Sequence, residues 1–407
     1  MQGDPQDIIR NKTIRWDTIR SVFHAFVETS WQTFALLIAI RVYDAPDSVK
    51  PLIPASYGIG LLFTWISTSW ATRVKMQAAV AAALCYVACS IGFALAGCSG
   101  TLPLYILGVT FAMFCAAQIP PFITQIYALN YKASERGQRV ATFIICGTVV
   151  GAMWAWLGGG LLDRDLDYWW AILLISSIFG AACAAVVLRI PSQRLIRTQG
   201  ETIFSNFKLI RRDKLFAMAL LGWWFIGMGN LMTEPLRVEY LANERYGINA
   251  NNFQIGLMIG TIPFVSRLFA TKIWGFLFDR LNLIVVRLIL NAVFMLSIAI
   301  FFFTKNFWIM SLGCVFFGFA YGGGGIMWLL WVTKVSPPES VSKYMSVHTT
   351  LTGIRATMSP FLGYFLIVNT TPAWTALFAL ASIAISTLIF IPQRSAIEER
   401  TRLKNYP

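Results

Sequence analysis

The stretch 272–281 reads KIWGFLFDRL and places an aspartate and an arginine between two long apolar runs. The preceding run begins near residue 253, and the following run extends from 282 to about 304. Each run has at least about 20 residues, the length that an α-helix needs to cross the hydrocarbon core of a bilayer. We therefore predict a helical hairpin in a membrane, with Asp279 and Arg280 in a turn at the membrane boundary.

The same pattern extends over the whole chain, which is 57% hydrophobic and 13% charged. A soluble protein normally has about 25% charged residues. We predict an all-α membrane protein with twelve transmembrane helices in two pseudo-symmetric six-helix halves. The apolar runs that define these spans, in order, are 20–42, 51–72, 76–97, 102–128, 139–162, 168–189, 214–238, 253–278, 282–304, 307–333, 341–368 and 373–392.

The lysines and arginines predict the orientation of the chain in the membrane. An even number of spans puts both termini on one side, and most basic residues fall on that side. The opposite side has only Arg41, Lys50, Arg164, Arg237, Arg245 and Lys305. Because cytoplasmic loops are enriched in lysine and arginine, we expect a multi-pass protein of the cell (inner) membrane with cytoplasmic termini. Orientation accounts for the net charge of +14 without a nucleic-acid partner.

Sequence motifs for catalysis and for metal or cofactor binding are absent. The seven cysteines lie in or beside apolar runs and form no Cys-x-x-Cys pair, and there are only two histidines. Such cysteines are typical of apolar packing, so we predict no metal site and no cofactor. Without a nucleotide-binding P-loop, the protein is predicted not to be an enzyme and to draw its energy from a gradient. We expect it to be a monomer in the lipid bilayer.

A long charged connection and a weak internal repeat divide the chain. We predict a first half at 1–190, a cytoplasmic linker at 191–213, a second half at 214–393 and a cytoplasmic tail at 394–407. At an offset of about 204 residues, the fifth and eleventh spans align, with Arg139 over Lys343 and Gly159 over Gly363. Two related six-span halves are typical of transporters that are built from repeats.

Span number, orientation and local motifs together resemble the major facilitator superfamily. Its signature loop, Gly-x-Leu-x-Asp-Arg, stands here as Gly275 to Arg280 between the eighth and ninth spans. The resemblance implies that Gly275, Asp279 and Arg280 form a conformational latch. In the equivalent loop of the first half, only Arg73 of the motif remains, so the two halves differ.

Three ionisable residues lie near the centres of predicted spans: Glu28, Arg267 and Arg355. Such residues are costly in a membrane and usually functional. The resemblance implies that all three approach a central water-filled site. In one interpretation, the arginines hold an anionic group of the substrate and Glu28 carries the coupling proton. In the other, Glu28 neutralises one arginine and the other arginine bonds backbone carbonyls. The sequence leaves both open.

Further polar residues are candidates for proton coupling. His24 shares a helix face with Glu28, and His348 shares one with Arg355, so either histidine is a candidate proton relay. A solvated or hydrogen-bonded histidine near the cytoplasmic end is the alternative. Glu234 lies near the outer end of the seventh span, where it is either an extracellular gate or second proton site, or half of an interfacial ion pair with Arg237 beside a kink at Pro235.

Amides and aromatic rings are candidates for substrate binding. Gln118 and Gln125 flank a Pro-Pro pair in the fourth span, where they either orient a substrate or satisfy carbonyls that the prolines leave free. Trp31 and Trp328 are candidate substrate platforms. The four glycines at 322–325, next to Trp328, indicate either a bending point or close helix packing.

These features together predict a secondary active transporter of a small organic solute, with a preference for an organic anion. It would work by alternating access, with protons as the coupling ion in symport. Two alternatives stay open. The fifth span resembles a degenerate antiporter motif at 151–160, which is compatible with a proton-driven exporter of amphipathic compounds. The other alternative is a non-transporting receptor or assembly factor on the same fold.

Overall fold

The computed structural model describes residues 5–195, 207–337 and 340–405, and most of these residues are helical. The middle of the predicted linker, 196–206, and the last two residues of the predicted tail lie outside the described residues. The α-helices of the first half are Pro5–Thr29, Leu36–Arg41, Leu52–Arg73, Ala78–Gly97, Leu102–Ala116, Ile119–Asn130, Ala133–Arg164 and Trp169–Val187. Those that follow are Lys208–Arg212, Lys214–Ala242, Asn252–Ile255, Ile262–Arg280, Leu283–Phe302, Phe307–Val335, Val341–Asn369, Pro372–Phe390 and Arg394–Asn405.

Ten of the described helices are long and apolar enough to cross a membrane by length and composition. They correspond to the third to twelfth predicted spans. The first two predicted spans are also helical but lie outside this set. The first contains a π-helical segment at Ser30–Ala35, and the second, Leu52–Arg73, is diluted by serine, threonine and tryptophan. The prediction of an all-α membrane protein is confirmed.

Proline and glycine act differently in different spans. In the fourth span, one helix ends at Ala116 and the next begins at Ile119, so the Pro-Pro pair lies in the first turn of a new helix. Proline is tolerated there because the first-turn amides have no intrahelical acceptor. The glycines at 322–325 do not interrupt helix Phe307–Val335. A Cβ at Gly323 would lie 2.5 Å from the Trp274 ring, which supports close packing and not a bend.

The described chain separates into two compact units. The first consists of Met1–Gln199 and Leu241–Thr261, and the second consists of Gly200–Tyr240 and Ile262–Pro407. The last two residues of helix Lys214–Ala242 and the start of the eighth span thus group with the first half of the sequence. The domain boundaries predicted above stay a prediction.

Small residues let helices approach closely within the first unit. A Cβ at Gly92 would lie 2.6 Å from the backbone nitrogen of Ala112, so only glycine fits there. The fifth span contacts the eighth in the same way, since a Cβ at Gly256 would lie 2.6 Å from the carbonyl oxygen of Ala155 and 3.0 Å from Gly159. The pairs Ala155/Gly159 and Gly256/Gly260 are both small-xxx-small repeats, which favour tight crossings.

In the second unit, large aromatic side chains fill the interior. Trp274 and Trp331 are almost completely buried, and the Trp274 indole donates a 2.8 Å hydrogen bond to the carbonyl of Phe319. The tail also contributes: helix Arg394–Asn405 buries Ile397, and Arg400 bonds Asp213 at the start of the seventh span. This tail is therefore packed against its own unit.

Candidate functional site

His348 lies at the centre of an aromatic cluster in the second unit. Its side chain is completely buried, and its ring centroid lies 5.0 Å from that of Trp223, 5.5 Å from Trp328 and 5.2 Å from Trp331. Neither ring nitrogen has a hydrogen-bond partner among the described residues. The interpretation of His348 as a solvated or hydrogen-bonded histidine is therefore wrong, because apolar rings enclose it.

Arg355 extends from the same helix into the same cluster and is only 3% exposed. It donates from Nη1 to the Trp223 carbonyl at 2.5 Å and from Nη2 to the Thr352 hydroxyl at 2.9 Å, while its Nε has no partner in the described chain. Gly227 leaves room for this side chain, because a Cβ there would collide with it. The carbonyl bond agrees with the structural interpretation. However, neutral groups leave the positive charge uncompensated.

Arg287 is a member of this cluster that the sequence did not reveal. Its position near the start of the ninth predicted span, 282–304, predicts a place at the cytoplasmic boundary, but it lies inside helix Leu283–Phe302 and is 2% exposed. Its Nε donates to Asn291 Oδ1 at 2.8 Å, and its guanidinium carbon lies 4.7 Å from the Trp223 ring centroid. A detectable signal was Asn291 one helical turn later in an otherwise apolar run, because buried polar side chains pair at that spacing.

The second unit has two other substrate candidates, Trp328, which lies beside this cluster, and Arg267, which lies apart from it. The Trp328 indole donates a 3.3 Å hydrogen bond to the Thr352 hydroxyl, which also accepts from Arg355. Arg267 is half-buried, and its guanidinium carbon lies 5.1 Å from the Tyr321 ring centroid. Trp328 thus shares a hydrogen-bond partner with Arg355, whereas Arg267 packs on a different aromatic ring.

Glu234 and Arg237 do not form the interfacial ion pair that was one of the alternatives. Arg237 is 3% exposed, and its Nη2 donates to the Ser297 hydroxyl at 2.9 Å. Its guanidinium carbon lies 4.7 Å from the Phe301 ring and 4.5 Å from the Phe317 ring. Glu234 is half-buried, and within the described chain it forms no ion pair with Arg237. The Arg237 guanidinium thus packs against phenylalanine rings without a direct salt bridge to Glu234.

The predicted proton-coupling residues of the first unit lie one helical turn apart. Glu28 is half-buried and accepts a 3.3 Å hydrogen bond from Gln32 Nε2. His24 Nδ1 lies 3.3 Å from the Tyr86 hydroxyl, which also accepts a 2.8 Å hydrogen bond from Arg20. A chain of polar groups thus extends from Arg20 through Tyr86 to His24, and Glu28 follows on the same helix face.

A buried ion pair ends this chain of polar groups. Arg20 Nε lies 2.5 Å from Asp17 Oδ1, and the Asp17 side chain has no exposed surface. The Tyr127 hydroxyl donates to Asp17 Oδ2 at 2.5 Å and accepts from Arg20 at 3.2 Å. Arg20 is the first residue of the first predicted span, 20–42, a position that predicts a place at the cytoplasmic boundary and not burial. In the first unit, therefore, a carboxylate neutralises a buried arginine.

The two glutamines of the fourth span have different environments. Gln118 is buried, and its Nε2 donates to the Gly60 carbonyl at 2.6 Å and to the Phe114 carbonyl at 3.2 Å. Its Oε1 accepts from Ser67 at 2.9 Å. Gln118 thus bonds backbone carbonyls, but these are not the carbonyls of Ala116 and Ala117, four residues before the prolines, that the prolines leave free. Gln125, by contrast, is exposed.

Trp31 lies in the π-helical segment Ser30–Ala35 of the first span. It is half-buried, and its ring stacks on Tyr57 with centroids 4.8 Å apart and planes 24° apart. One ring face is therefore covered by another aromatic ring of the same unit. Its role as a substrate platform stays a prediction.

The proposed latch residues lie at the ends of their helices. Asp279, Arg280 and Arg73 are exposed, and the Arg280 guanidinium carbon lies 4.4 Å from the Phe276 ring centroid. Asp279 forms no hydrogen bond or ion pair within the part of the chain that the structure describes. A Cβ at Gly275 would meet nothing within 4 Å. Within its unit, Gly275 therefore does not mark a close helix contact.

Comparison with known proteins decides the family. The family model for the Major Facilitator Superfamily matches residues 21–360 and, in a second match, residues 241–404. The chain belongs to the Major Facilitator Superfamily. It is therefore a membrane transporter of small solutes and not an enzyme, as the sequence predicts. A search of curated proteins finds no significant match.

Solved structures of this superfamily share the fold over nearly the full chain. A mutant of the nucleoside transporter NupG has a TM-score of 0.77 at 13% identity, covering 94% of this chain and 99% of that chain. A POT family transporter in complex with 5-aminolevulinic acid has a TM-score of 0.74 at 12% identity, covering 94% and 96%. A bacterial homologue of the human lysosomal transporter Spinster has 0.64 at 14%, covering 98% of each chain. Identities this low establish the fold alone.

Proposed function

We propose that this superfamily member carries a small organic anion across the membrane in symport with protons. The observation that carries the proposal is Arg355, which is buried at mid-helix and bonded only to neutral groups. A buried, uncompensated charge costs several kcal/mol, and an anionic solute reduces that cost when it binds. The unpartnered Nε of Arg355 is a donor for the carboxylate or phosphate group of such a solute.

Proton coupling is assigned to Glu28, with His24, His348 and Glu234 as further candidate proton carriers. Support comes from the half-burial of Glu28 in the first span and from its position one turn beyond His24. A carboxyl group that alternates between a buried and a hydrated environment changes its affinity for protons, because burial disfavours the charged form. Such a group can couple solute movement to a proton gradient.

We place the protein in the cell (inner) membrane as a monomer with both termini in the cytoplasm. The distribution of lysine and arginine over the loops supports this orientation. Arg267, Gln125, Trp31 and Trp328 are proposed to contribute to the substrate path together with Arg355. Gln118 is a weaker candidate, since its amide is already bonded to backbone carbonyls.

The test is uptake into proteoliposomes from a panel of organic anions, neutral solutes and organic cations, with and without an inward proton gradient. We expect gradient-driven accumulation of at least one organic anion. Loss of a charge-assisted hydrogen bond is worth about 1.5–3 kcal/mol, so Arg355→Gln should reduce solute affinity roughly 10- to 100-fold. Arg394→Gln, which changes an exposed arginine of the same unit, is the matched control.

Glu28→Gln separates coupling from transport. We expect this variant to exchange solute across the membrane but not to accumulate it against a gradient. Transport of neutral or cationic solutes alone would contradict the organic-anion proposal. Protonophore-sensitive efflux of amphipathic dyes without anion uptake would instead favour the exporter.

A further inference from the structure

We propose that the second unit binds a small inorganic monovalent anion, of the size of chloride or bromide, at the guanidinium of Arg287. This ion is distinct from the transported solute, and its binding does not require the proposed function to be correct. The site comprises Arg287 and Asn291 on the ninth span and Trp223 on the seventh, and His348 and Arg355 of the eleventh span lie beside it.

The guanidinium of Arg287 is held by a hydrogen bond from its Nε, while its two terminal nitrogens are not hydrogen-bonded to the described chain. Asn291 accepts from Nε at 2.8 Å and is itself fixed, since its Nδ2 donates to the Thr387 hydroxyl at 3.0 Å. Asn291 is completely buried, so it holds this orientation away from water. Both terminal nitrogens of Arg287 lack a hydrogen-bond partner among the described residues. They form the fork of donors that binds an anion.

The charge around this fork is positive and uncompensated. The guanidinium carbons of Arg287 and Arg355 lie 4.7 Å and 5.9 Å from the centroid of the same Trp223 ring. In the described chain neither arginine bonds a carboxylate. In the first unit, by contrast, the buried Arg20 has a carboxylate partner, since its Nε lies 2.5 Å from Asp17 Oδ1. A bound anion would do for Arg287 what Asp17 does for Arg20.

Burial limits the size of the ligand. Arg287 is 2% exposed, and its guanidinium carbon lies 4.7 Å from the Trp223 ring centroid, so the remaining space beside the fork favours a small ion. Unused polar groups are nonetheless close by, because the Trp331 indole N–H and both His348 ring nitrogens are buried without partners in the described chain. In the neutral imidazole one of these two nitrogens is a donor. An enclosed site with fixed positive charge and spare N–H groups suits a halide, which accepts hydrogen bonds from any direction.

The test is thermal unfolding of the purified full-length protein when sodium gluconate is exchanged for sodium chloride or bromide at constant ionic strength. Because a ligand that binds only the folded state stabilises it, we expect 150 mM halide to raise Tm by about 2 °C or more. Asn291→Asp places a carboxylate next to Arg287 and should substitute for the ion. We expect its Tm to be independent of halide, whereas Arg394→Gln should respond like the wild type.

Diffraction from crystals grown in bromide gives a second measurement that does not depend on any variant. We expect an anomalous peak within hydrogen-bond distance of Arg287. A wild-type Tm unaffected by halide, a wild-type response in Asn291→Asp, or an absent bromide peak would each overturn the site. Stabilisation by acetate but not by chloride would overturn the assignment to a halide-sized ion. None of these outcomes bears on anion uptake in proteoliposomes, which tests the proposed function separately.

Discussion

Buried polar side chains are satisfied by different kinds of partner in the two units. In the first unit, Arg20 has a carboxylate and two tyrosine hydroxyls. In the second, Arg355 and Arg237 have a carbonyl, hydroxyls and aromatic rings. Aromatic faces attract cations but do not cancel their charge. The charges of Arg355 and Arg237 are therefore buried without a carboxylate hydrogen-bonded to them among the described residues.

Gln118 offers a test of the structural role of a single side chain. Gln118→Ala removes the hydrogen bonds of this amide to the Gly60 and Phe114 carbonyls and to the Ser67 hydroxyl. Each buried polar group that loses its partner costs about 1–3 kcal/mol of folding free energy. We expect a clear fall in Tm in detergent. Gln125→Ala, in the same span but exposed, should leave Tm unchanged. Equal Tm values for the two variants would show that Gln118 has no stabilising role.

The sequence predicted the position of some buried charges but not of others. Arg355 lies at the middle of a long apolar run, and burial follows directly from that position. Arg287 and Arg20 lie within a turn or so of predicted boundaries, where an arginine can equally extend to the interface. Which of the two happens depends on partners from distant helices, Trp223 for Arg287 and Tyr86 for Arg20. Sequence spacing carries no information on those contacts.

At the scale of helices, run length predicted the spans well because a membrane fixes how many residues each must have. Departures from a regular helix were not predicted. The π-helical segments Ser30–Ala35 (SWQTFA) and Gly256–Thr261 (GLMIGT) share no sequence pattern, yet they pack against each other in the first unit. A Cβ at Gly260 would lie 3.0 Å from the Thr33 hydroxyl, so this contact depends on tertiary packing. Such segments are frequent at functional sites.

The C-terminal helix, Arg394–Asn405, is connected to the seventh span through Asp213. Arg400 donates to both carboxylate oxygens, at 3.0 Å and 2.7 Å, and the Tyr344 hydroxyl donates at 2.8 Å. Asp213 also accepts from the Phe216 amide at 3.0 Å, as a helix N-cap does. Partial burial alone would raise the pKa of Asp213, but these hydrogen bonds outweigh it and hold the pKa below its usual value.

A lowered pKa in the folded state gives a defined dependence of stability on pH. The contribution of Asp213 is present above the pKa of an unfolded aspartate, about 4, and is lost as pH falls through the folded value. We expect Asp213→Asn to lower Tm at pH 7, by an amount equivalent to roughly 1–2 kcal/mol, and to reduce the fall in Tm between pH 5 and pH 3. Asp44→Asn, in an exposed loop, is the control. An Asp213→Asn profile parallel to that of the wild type would contradict the assignment.

At the scale of the whole molecule, the two halves of the sequence keep different parts of the superfamily's signature. Only the loop between the eighth and ninth spans has the full motif from Gly275 to Arg280, whereas the first half keeps Arg73. Asp279 and Arg280 are exposed at the end of helix Ile262–Arg280, and in the described chain Asp279 has no partner within its unit. An exposed carboxylate without such a partner contributes little to the stability of its own helix.

We therefore predict that Asp279→Asn changes the rate of exchange between transport conformations and leaves both Tm and solute affinity nearly unchanged. A latch acts by favouring one conformation over the other, so removing its charge shifts populations and not the binding site. Distances between spin labels on the two halves would measure the populations, and equilibrium binding would measure affinity. A several-fold loss of affinity with unaltered populations would place Asp279 in the substrate site. An unchanged transport rate with unaltered populations would mean that the second-half motif, although complete, no longer acts as a latch.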